Sequence, residues 1–130
     1  IVTCGHDTFS SAAQPPRPDS ATDRYVPLGG AVNAGILENV FGDSNFLVHR
    51  QFFLDSGGFT EEWGLGFEDY EYLAKMALRD NHIEAVPDAL HWYRRVPGAA
   101  SMSQDTDLKA NQMRFLRAYL DAFPHLSRVT

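Results

Sequence analysis

The most informative part of the sequence is Trp63-Gly-Leu-Gly-Phe-Glu-Asp-Tyr-Glu71, which predicts a glycine-bearing loop followed by the start of a helix. The residues after it predict a helix from near Phe67 to about Arg79, with one polar and one apolar side. The polar stripe consists of Glu68, Glu71, Lys75 and Arg79, and the apolar side of Tyr70, Leu73, Ala74 and Ala77. Because glycine lets a backbone approach a ligand closely, this junction is a candidate binding site.

Two carboxylates, Glu68 and Asp69, fall in the first turn of this predicted helix and should point in different directions. Glu68 lies on the polar stripe, whereas Asp69 lies toward the apolar side. The helix N-terminus favours the charged form of a carboxylate there, and burial disfavours it. A short carboxylate that is partly desolvated is a reasonable general base. The alternative is that both acids only complement the helix dipole, which is a common arrangement.

Outward from this junction, the sequence predicts a mixed α/β domain without a clean βαβ repeat. Gly57-Gly58 ends a short helix, since glycine supplies the left-handed residue at a helix C-terminus, and Phe59 then returns to the core. Ser103 is a plausible N-cap of the last helix, and Pro124 ends it. The predicted helices are 50–56, 67–79 and 104–122, the predicted strands are 1–4, 46–48, 83–86 and 89–93, and a long loop covers 14–27. The apolar stripe of the last helix is Met113, Leu116, Tyr119, Leu120 and Phe123.

The composition limits the class of protein. A length of 130 residues fits one domain, and 44% apolar residues suffice for a core. A formal net charge of −6 argues against a nucleic-acid backbone as the main partner. The single cysteine, Cys4, cannot form an internal disulfide and fits a reducing compartment, and no stretch approaches the roughly 18–20 apolar residues of a membrane span. Because the chain opens inside a predicted strand without an initiator Met, we expect a fragment of a larger enzyme; the alternative is a shortened form of a complete domain.

Several ordered pieces of the chain resemble family 2 glycosyltransferases, which have the GT-A fold. Gly57-Gly58-Phe59 followed by Gly66-Phe67-Glu68-Asp69 resembles the GGF…ED signature of that family. Residues 42–50 resemble its G-S-N…R-R segment, with His49 in place of one basic residue, and residues 86–94 resemble its "vpe-l-yYR" strand. Residues 63–69 are also similar to the WGWGGED block of β-1,4-galactosyltransferases, from which Leu65 and Phe67 depart. Together these pieces cover most of residues 1–103.

The resemblance implies the C-terminal part of a GT-A domain, with roles for particular residues. Asp69 would be the general base of an inverting transfer, and Glu68 would bind acceptor hydroxyls or position the base. Trp63 would form a platform for a sugar face; the alternative is a loop aromatic that fills the core. Ser44 and Asn45 would contact the donor or the acceptor. The alternative, which explains their presence equally well, is that their side chains stabilise a turn by hydrogen bonds to the backbone. Arg94 would be a further substrate-binding residue.

One histidine is a candidate metal ligand. His91-Trp92-Tyr93-Arg94 resembles the His-x-aromatic-Arg run of polypeptide GalNAc transferases, whose His binds the metal. Imidazole is a less favoured ligand of Mn²⁺ than carboxylate, but it is used there. The alternative is a partly exposed strand histidine. The remaining histidines show no ligand spacing with one another and are assigned structural roles: His6, His49, His82 and His125.

The donor-binding half expected from the resemblance is absent from this sequence. Its one D-x-D motif, Asp105-Thr106-Asp107, follows the ED pair and starts a predicted helix instead of ending a strand. We therefore expect the divalent metal, Mn²⁺ or Mg²⁺, to be bound mainly by the missing half. The implied partners are a nucleotide-sugar donor and a saccharide or lipid-linked acceptor. The implied location is the cytoplasm, and the alternative is that the full-length protein is associated with a membrane. An incomplete sheet predicts self-association through an exposed edge. The alternative function is a non-catalytic module that binds carbohydrate or protein.

Overall fold

The computed structural model describes residues 1–11, 16–98 and 106–125. The strands are β1 (Val2–Phe9), β2 (Asp23–Tyr25) and β3 (Glu84–Arg94). The α-helices are α1 (Val32–Gly35), α2 (Arg50–Asp55), α3 (Glu68–Leu78) and α4 (Leu108–Ala122), and a 3₁₀ turn spans Pro18–Ser20. None of the helices within these ranges is long and apolar enough to cross a membrane.

The three strands form a mixed sheet with β1 at its centre. β2 pairs with β1 in antiparallel and β3 in parallel orientation, in the order β2-β1-β3. The prediction of an α/β fold with a small mixed sheet flanked by helices is confirmed. β1 extends to Phe9, beyond the predicted end at residue 4, because both of its edges are paired. The prediction of one loop over 14–27 is wrong in part, since Asp23–Tyr25 pair with β1.

β3 is one strand of 11 residues where the sequence predicted two strands separated by Pro87. The register between β1 and β3 is irregular there, so that Cys4 lies opposite Val86 and Gly5 lies opposite Ala89. This irregularity leaves Pro87 outside the regular ladder, where its missing N–H group costs no hydrogen bond. The chain therefore continues as a single edge strand of the described sheet.

The predicted strand at residues 46–48 is wrong. Leu47 forms an isolated antiparallel bridge with Val2, through backbone hydrogen bonds of 2.8 and 2.9 Å, and its neighbours do not pair. Phe46 instead packs its ring on Tyr72, with stacked planes and ring centroids 5.7 Å apart. A short apolar run predicts burial more reliably than it predicts a strand.

The predictions for α2 and α3 are confirmed to within two residues at each end. Gly57 and Gly58 follow α2 with φ angles of 95° and 58°, the left-handed values expected at a helix C-terminus. Phe59 then contacts Phe53 and Tyr72 edge to face, with ring centroids 5.3 and 5.7 Å apart. It remains 37% exposed, so it covers the edge of the core and is not fully inside.

Helix α4 is shorter than predicted and buries a different face. Asp107 is its N-cap and accepts hydrogen bonds from the N–H groups of Lys109 and Ala110; the predicted N-cap, Ser103, lies outside the described residues. Met113 and Phe123 of the predicted apolar stripe are 53% and 40% exposed. The buried residues of α4 are Asn111, Arg114, Phe115, Ala118 and Tyr119. Two polar residues outside the predicted apolar stripe, Asn111 and Arg114, are thus buried.

Helix α3 lies in the core, and one of its predicted polar residues is buried with it. Its buried apolar residues include Tyr70, Leu73, Ala74 and Met76. The ring of Tyr70 stacks on Phe115 of α4 with centroids 4.0 Å apart. Glu71, predicted on the polar stripe, is only 2% exposed, so its assignment to a solvated face is wrong. It is buried because Arg114 donates to its carboxylate at 2.8 Å and Lys75 donates at 2.6 Å.

We expect Gly42→Ala to destabilise the fold by about 1–3 kcal/mol. Gly42 has a φ of 138°, and a Cβ there would lie 2.7 Å from Cγ2 of the buried Thr3. Urea unfolding followed by circular dichroism measures the loss. Gly30→Ala is the control, because nothing lies within 4 Å of its Cβ position, and it should change stability by less than about 0.5 kcal/mol. Equal midpoints for the two variants would contradict the close packing of Gly42 on Thr3.

Candidate functional site

A cavity of about 420 Å³ lies where the N-terminal end of α3 meets the sheet. Residues of β1 and β3, the turn that follows Phe41 and the loop that enters α3 form its wall. The lining residues are His6, Asn39, Asp43, Ser44, Asn45, Gly66, Phe67, Glu68, Asp69 and Tyr93. The structure therefore brings together four of the seven site residues predicted from the sequence: Ser44, Asn45, Glu68 and Asp69.

Asp69 is held at the cavity wall by a hydrogen bond to each carboxylate oxygen. The hydroxyl of Ser44 donates to Oδ2 at 2.9 Å, and the backbone N–H of Tyr70 donates to Oδ1 at 2.7 Å. Burial raises the pKa of Asp69 and outweighs these two hydrogen bonds, which lower it; the nearby carboxylates of Glu68 and Asp43 raise the pKa further. The arrangement is a fixed carboxylate that is more basic than an ordinary aspartate.

The backbone before α3 is strained at the entrance to the cavity. Phe67 has a φ of 67°, in the left-handed region that a bulky side chain rarely occupies. Its ring packs against Tyr70 and Phe115, with centroids 6.0 and 6.5 Å apart. Strained residues of this kind cluster at functional sites, where the surrounding packing holds them. Here the strained turn leads directly into the pair Glu68 and Asp69.

A second cavity, also of about 420 Å³, shares Glu68 with the first. Trp63 lines this second cavity and is 98% exposed, so the alternative that its ring fills the core is wrong. Phe59 and Leu65 add apolar surface beside it. Trp63 and Asp69 thus face different cavities that meet at Glu68.

A cluster of His6, Asp43 and His91 lies beside Asn45 of the first cavity. His6 Nδ1 lies 2.8 Å and His91 Nε2 lies 3.1 Å from the same Oδ2 of Asp43. One possible ligand atom from each of the three residues lies within 4.8 Å of the others. The Nδ2 of Asn45 lies 3.2 Å from His91 Nε2. Two imidazoles and a carboxylate are a donor set that could hold a first-row divalent metal ion.

Asp43 is an anion between the two imidazoles. Burial by itself raises the pKa of Asp43, but the hydrogen bonds from His6 and from the N–H of Asn45, together with the nearby His91, lower it overall. The N–H of Asn45 lies 2.8 Å from Asp43 Oδ1, which closes a turn two residues long. The backbone N–H of Asn45 thus takes part in a turn, as the alternative predicted. Its side chain is directed to His91.

Sequence reasoning singled out His91 but missed His6 and Asp43. His6 lies opposite His91 in the parallel pair and opposite Tyr25 in the antiparallel pair. Its ring centroid lies 5.1 Å from those of both partners and 5.2 Å from that of Tyr93. No spacing along the chain signals this row, because it exists only once the three strands pair.

Arg94, a predicted substrate-binding residue, is not among the residues that line the cavity. Its guanidinium carbon lies 5.1 Å from the ring centroid of Phe9, a cation–π arrangement. Neighbouring residues of a strand point to opposite faces of the sheet, so Tyr93 lines the cavity in its place. A role for Arg94 in substrate binding stays a prediction.

Comparison with known proteins identifies one family. A family model described as glycosyltransferase like family 2 matches residues 31–123, which is more than half of the chain. The matched range includes all lining residues of the first cavity except His6. No curated protein and no solved structure matches the chain significantly.

We expect Asp69→Asn to raise the melting temperature at about pH 7. A carboxyl whose pKa is raised on folding contributes stability that is fully present below its unfolded pKa of about 4 and is lost as pH rises through the folded pKa. The amide avoids this loss, so the gain should vanish below about pH 4. Calorimetric melting across this range tests it, with the exposed Asp88→Asn as control. A lower melting temperature of Asp69→Asn at neutral pH would contradict the raised pKa.

Proposed function

Because this chain belongs to the glycosyltransferase-like family 2, we propose that it binds the acceptor of a sugar transfer and activates one acceptor hydroxyl. Its activity is of the glycosyltransferase type, and its small mixed sheet with flanking helices is consistent with part of a GT-A domain. The observation that carries the proposal is Asp69, a carboxylate of raised pKa at a cavity wall, hydrogen-bonded to Ser44.

In the proposed reaction, the carboxylate of Asp69 accepts the proton of an acceptor hydroxyl. The acceptor oxygen forms a bond to the anomeric carbon of a nucleotide sugar, and the bond from that carbon to the nucleoside diphosphate breaks, with inversion. The hydrogen bonds from Ser44 and Tyr70 hold the carboxylate in place and leave a further lone pair on each oxygen. The raised pKa increases the driving force for proton transfer.

We propose that the acceptor extends across Glu68, because this residue lines both cavities. One acceptor hydroxyl would lie at Asp69, and Glu68 would accept hydrogen bonds from neighbouring hydroxyls. The exposed ring of Trp63 would cover the apolar face of a sugar unit in the second cavity. In this proposal, the base in the first cavity and the aromatic platform in the second would act on the same acceptor.

A divalent metal is common in this family, and the cluster of His6, Asp43 and His91 is chemically suited to one. Mn²⁺ accepts both imidazole and carboxylate ligands, and the three ligand atoms already lie within 4.8 Å of one another. When bound, the metal would balance the negative charge of the departing diphosphate. We propose these three residues as the contribution of this chain to metal binding. The sequence alone predicted that the missing donor-binding half would bind the metal for the most part.

We further propose that the nucleotide of the donor is bound by residues outside this chain. GT-A enzymes bind the donor with nucleotide-binding strands and with a D-x-D metal motif at a strand end, and the D-x-D motif here has another position. Asp107 is the N-cap of α4, where it binds backbone N–H groups, and Asp105 lies outside the described residues. The cytoplasmic location and the self-association through an exposed sheet edge stay predictions.

A second function, a non-catalytic module that binds carbohydrate or protein, is favoured by one observation. Trp63 is 98% exposed and lies beside Phe59 and Leu65, an arrangement that would suit binding without catalysis. A pure binder does not need a carboxylate of raised pKa such as Asp69. Replacing this carboxylate separates the two functions. A catalytic base predicts a loss of turnover with binding retained, whereas a binding module predicts no effect on turnover.

We expect Asp69→Asn in the full-length protein to lower turnover by about 10²–10⁴-fold while donor binding is retained. Release of UDP from UDP-glucose, UDP-galactose and their N-acetylamino forms, with Mn²⁺ and saccharide acceptors, is the assay. The activity of the unmodified protein should rise with pH through the raised pKa of Asp69. Asp88→Asn, an exposed position, is the matched control. Unchanged turnover in Asp69→Asn would end the assignment of the base and leave the binding module.

We expect the 130-residue chain to bind Mn²⁺ at a single site, and His6→Gln and His91→Gln each to weaken binding by about tenfold or more. Calorimetric titration measures the affinity without requiring sugar transfer. His82→Gln is the control, because the His82 side chain is 82% exposed and its partner among the described residues is Glu84. Equal affinities for all three variants would contradict the cluster as a metal site.

A further inference from the structure

Two buried polar residues of α4 contact the loop that carries Trp63. Residues 60–66, which we name the platform loop, connect the Gly57-Gly58 turn with the strained Phe67. Asn111 and Arg114, one turn apart on α4, are 0% and 2% exposed. Polar side chains are rarely buried to this extent without a full set of partners, so their contacts indicate what they do.

Arg114 binds both ends of the platform loop. Its Nη1 donates to the backbone carbonyls of Leu65 and Gly66 at 3.2 and 3.3 Å, and its Nη2 donates to the carbonyl of Thr60. Its Nε donates to the Glu71 carboxylate at 2.8 Å. A planar guanidinium with several donors in fixed directions can hold separate carbonyls in this way, whereas the compact ammonium of a lysine cannot.

Asn111 completes the attachment at the end of the loop that enters α3. Its Oδ1 accepts the backbone N–H of Gly66 at 2.8 Å, and its Nδ2 donates to the hydroxyl of Thr106 at 2.6 Å. With Arg114 on the carbonyl, α4 thus binds both polar backbone groups of Gly66. The hydroxyl of Thr60, at the other end of the loop, donates to Glu71 at 3.2 Å.

Besides the partly exposed ion pair between Glu62 and Arg117, the tip of the loop has little to hold it among the described residues. Trp63 is 98% exposed, so its ring makes almost no contact and its position depends on the backbone. Gly64 follows with a φ of 79° and nothing within 4 Å of its Cβ position. A glycine-bearing loop of this kind loses much conformational entropy on ordering, which the buried hydrogen bonds at its ends must offset.

We propose that Arg114 and Asn111 are positioning residues that hold the platform loop, and thereby orient Trp63 and Asp69 toward one acceptor. The roles of Trp63 and Asp69 in this proposal rest on the proposed function. The attachment of the platform loop to Arg114 and Asn111 does not depend on it. Gly66 is the point that couples them, because it is the last residue of the loop and lies three residues before the base. α4 is therefore part of the acceptor site although it contributes no group to the reacting atoms.

The first test is amide hydrogen exchange in the 130-residue chain, read at Gly66 and the other platform-loop residues. Asn111→Ala should accelerate exchange at Gly66 by about two- to tenfold, and Arg114→Met should accelerate it across the loop by tenfold or more. Arg117→Met is the matched control. Arg117 lies one turn further along α4 and binds Glu62 of the same loop, but both side chains are partly exposed, at 45% and 36%, in contrast to the buried Arg114. It should change loop exchange less than twofold.

A further variant keeps the test decisive if Arg114→Met unfolds. Removing one partner of a buried ion pair leaves an unpaired charge, whereas replacing both by apolar residues is often neutral. The double variant Glu71→Met, Arg114→Met should therefore fold, retain slow exchange at Leu73 and lose it in the loop. In a Trp92→Phe background, its Trp63 emission should also show lower anisotropy. Unchanged loop exchange in a folded variant, or loss of the whole fold in both, would overturn the proposal.

The second test separates positioning from stability. In the full-length transferase, Arg114→Lys should raise the KM for a saccharide acceptor by about tenfold with the KM for the UDP-sugar unchanged. Arg117→Lys should change neither. An acceptor KM that stays constant while loop exchange accelerates would overturn the link between the loop and the acceptor. Absence of transfer in the unmodified protein would instead count against the proposed function, and the exchange measurements would still decide whether the loop is held as inferred.

Discussion

The buried ion pair between Glu71 of α3 and Arg114 of α4 joins the two helices that contribute most of the buried core. The two side chains are 3% and 2% exposed. Two charges at that depth lose several kcal/mol each in hydration, so they are tolerated only where their remaining donors and acceptors are used. Arg114 meets this condition by binding loop carbonyls, and Glu71 by accepting from Lys75 and Thr60. The pair therefore joins the two helices and the platform loop, and the entrance to α3 follows from it.

The second constraint is the pairing of β1 with strands from distant parts of the chain. It places His6 beside His91, and Gly42 packs on Thr3 of β1, so that the turn bearing Asp43 and Ser44 lies against the sheet. Ser44 is then within reach of Asp69, whose helix is fixed by the ion pair. The cavity thus forms between two independently anchored parts. This explains why its residues come from four separated segments of the sequence.

The sequence predicted what local chemistry controls and missed what depends on pairing. The positive φ of Gly57 and Gly58 and the amphipathic run after Phe67 are local signals, and the ends of α2 and α3 agree with them. β2 has three residues and forms only because β1 offers an edge, and β3 passes Pro87 only because the register shifts there. Within the site, Glu68 and Asp69 were indicated by their place in the first turn of a predicted helix and by the family resemblance, and Ser44 and Asn45 by the resemblance alone. His6 and Arg114 carry no such signal. His6 meets its partners only across the paired strands, and Arg114 is buried only because it pairs with Glu71.

Two carboxylates, two residues apart at the start of α3, show how the environment divides structural from chemical roles. Burial raises the pKa of each, but its partners decide the outcome. Glu71 accepts hydrogen bonds from two cations, Lys75 and Arg114, which together lower its pKa and keep it ionised as part of the framework. Within the part of the chain that the structure describes, the donors to Asp69 are neutral, the hydroxyl of Ser44 and the backbone N–H of Tyr70, so burial prevails and its pKa is raised. Glu71 lines neither of the two cavities described above, so only the raised pKa of Asp69 bears on their chemistry. The cations that could have stabilised Asp69 lie instead at Glu71, and this distribution of charge leaves at the cavity a carboxylate of raised pKa, as the proposed general base requires.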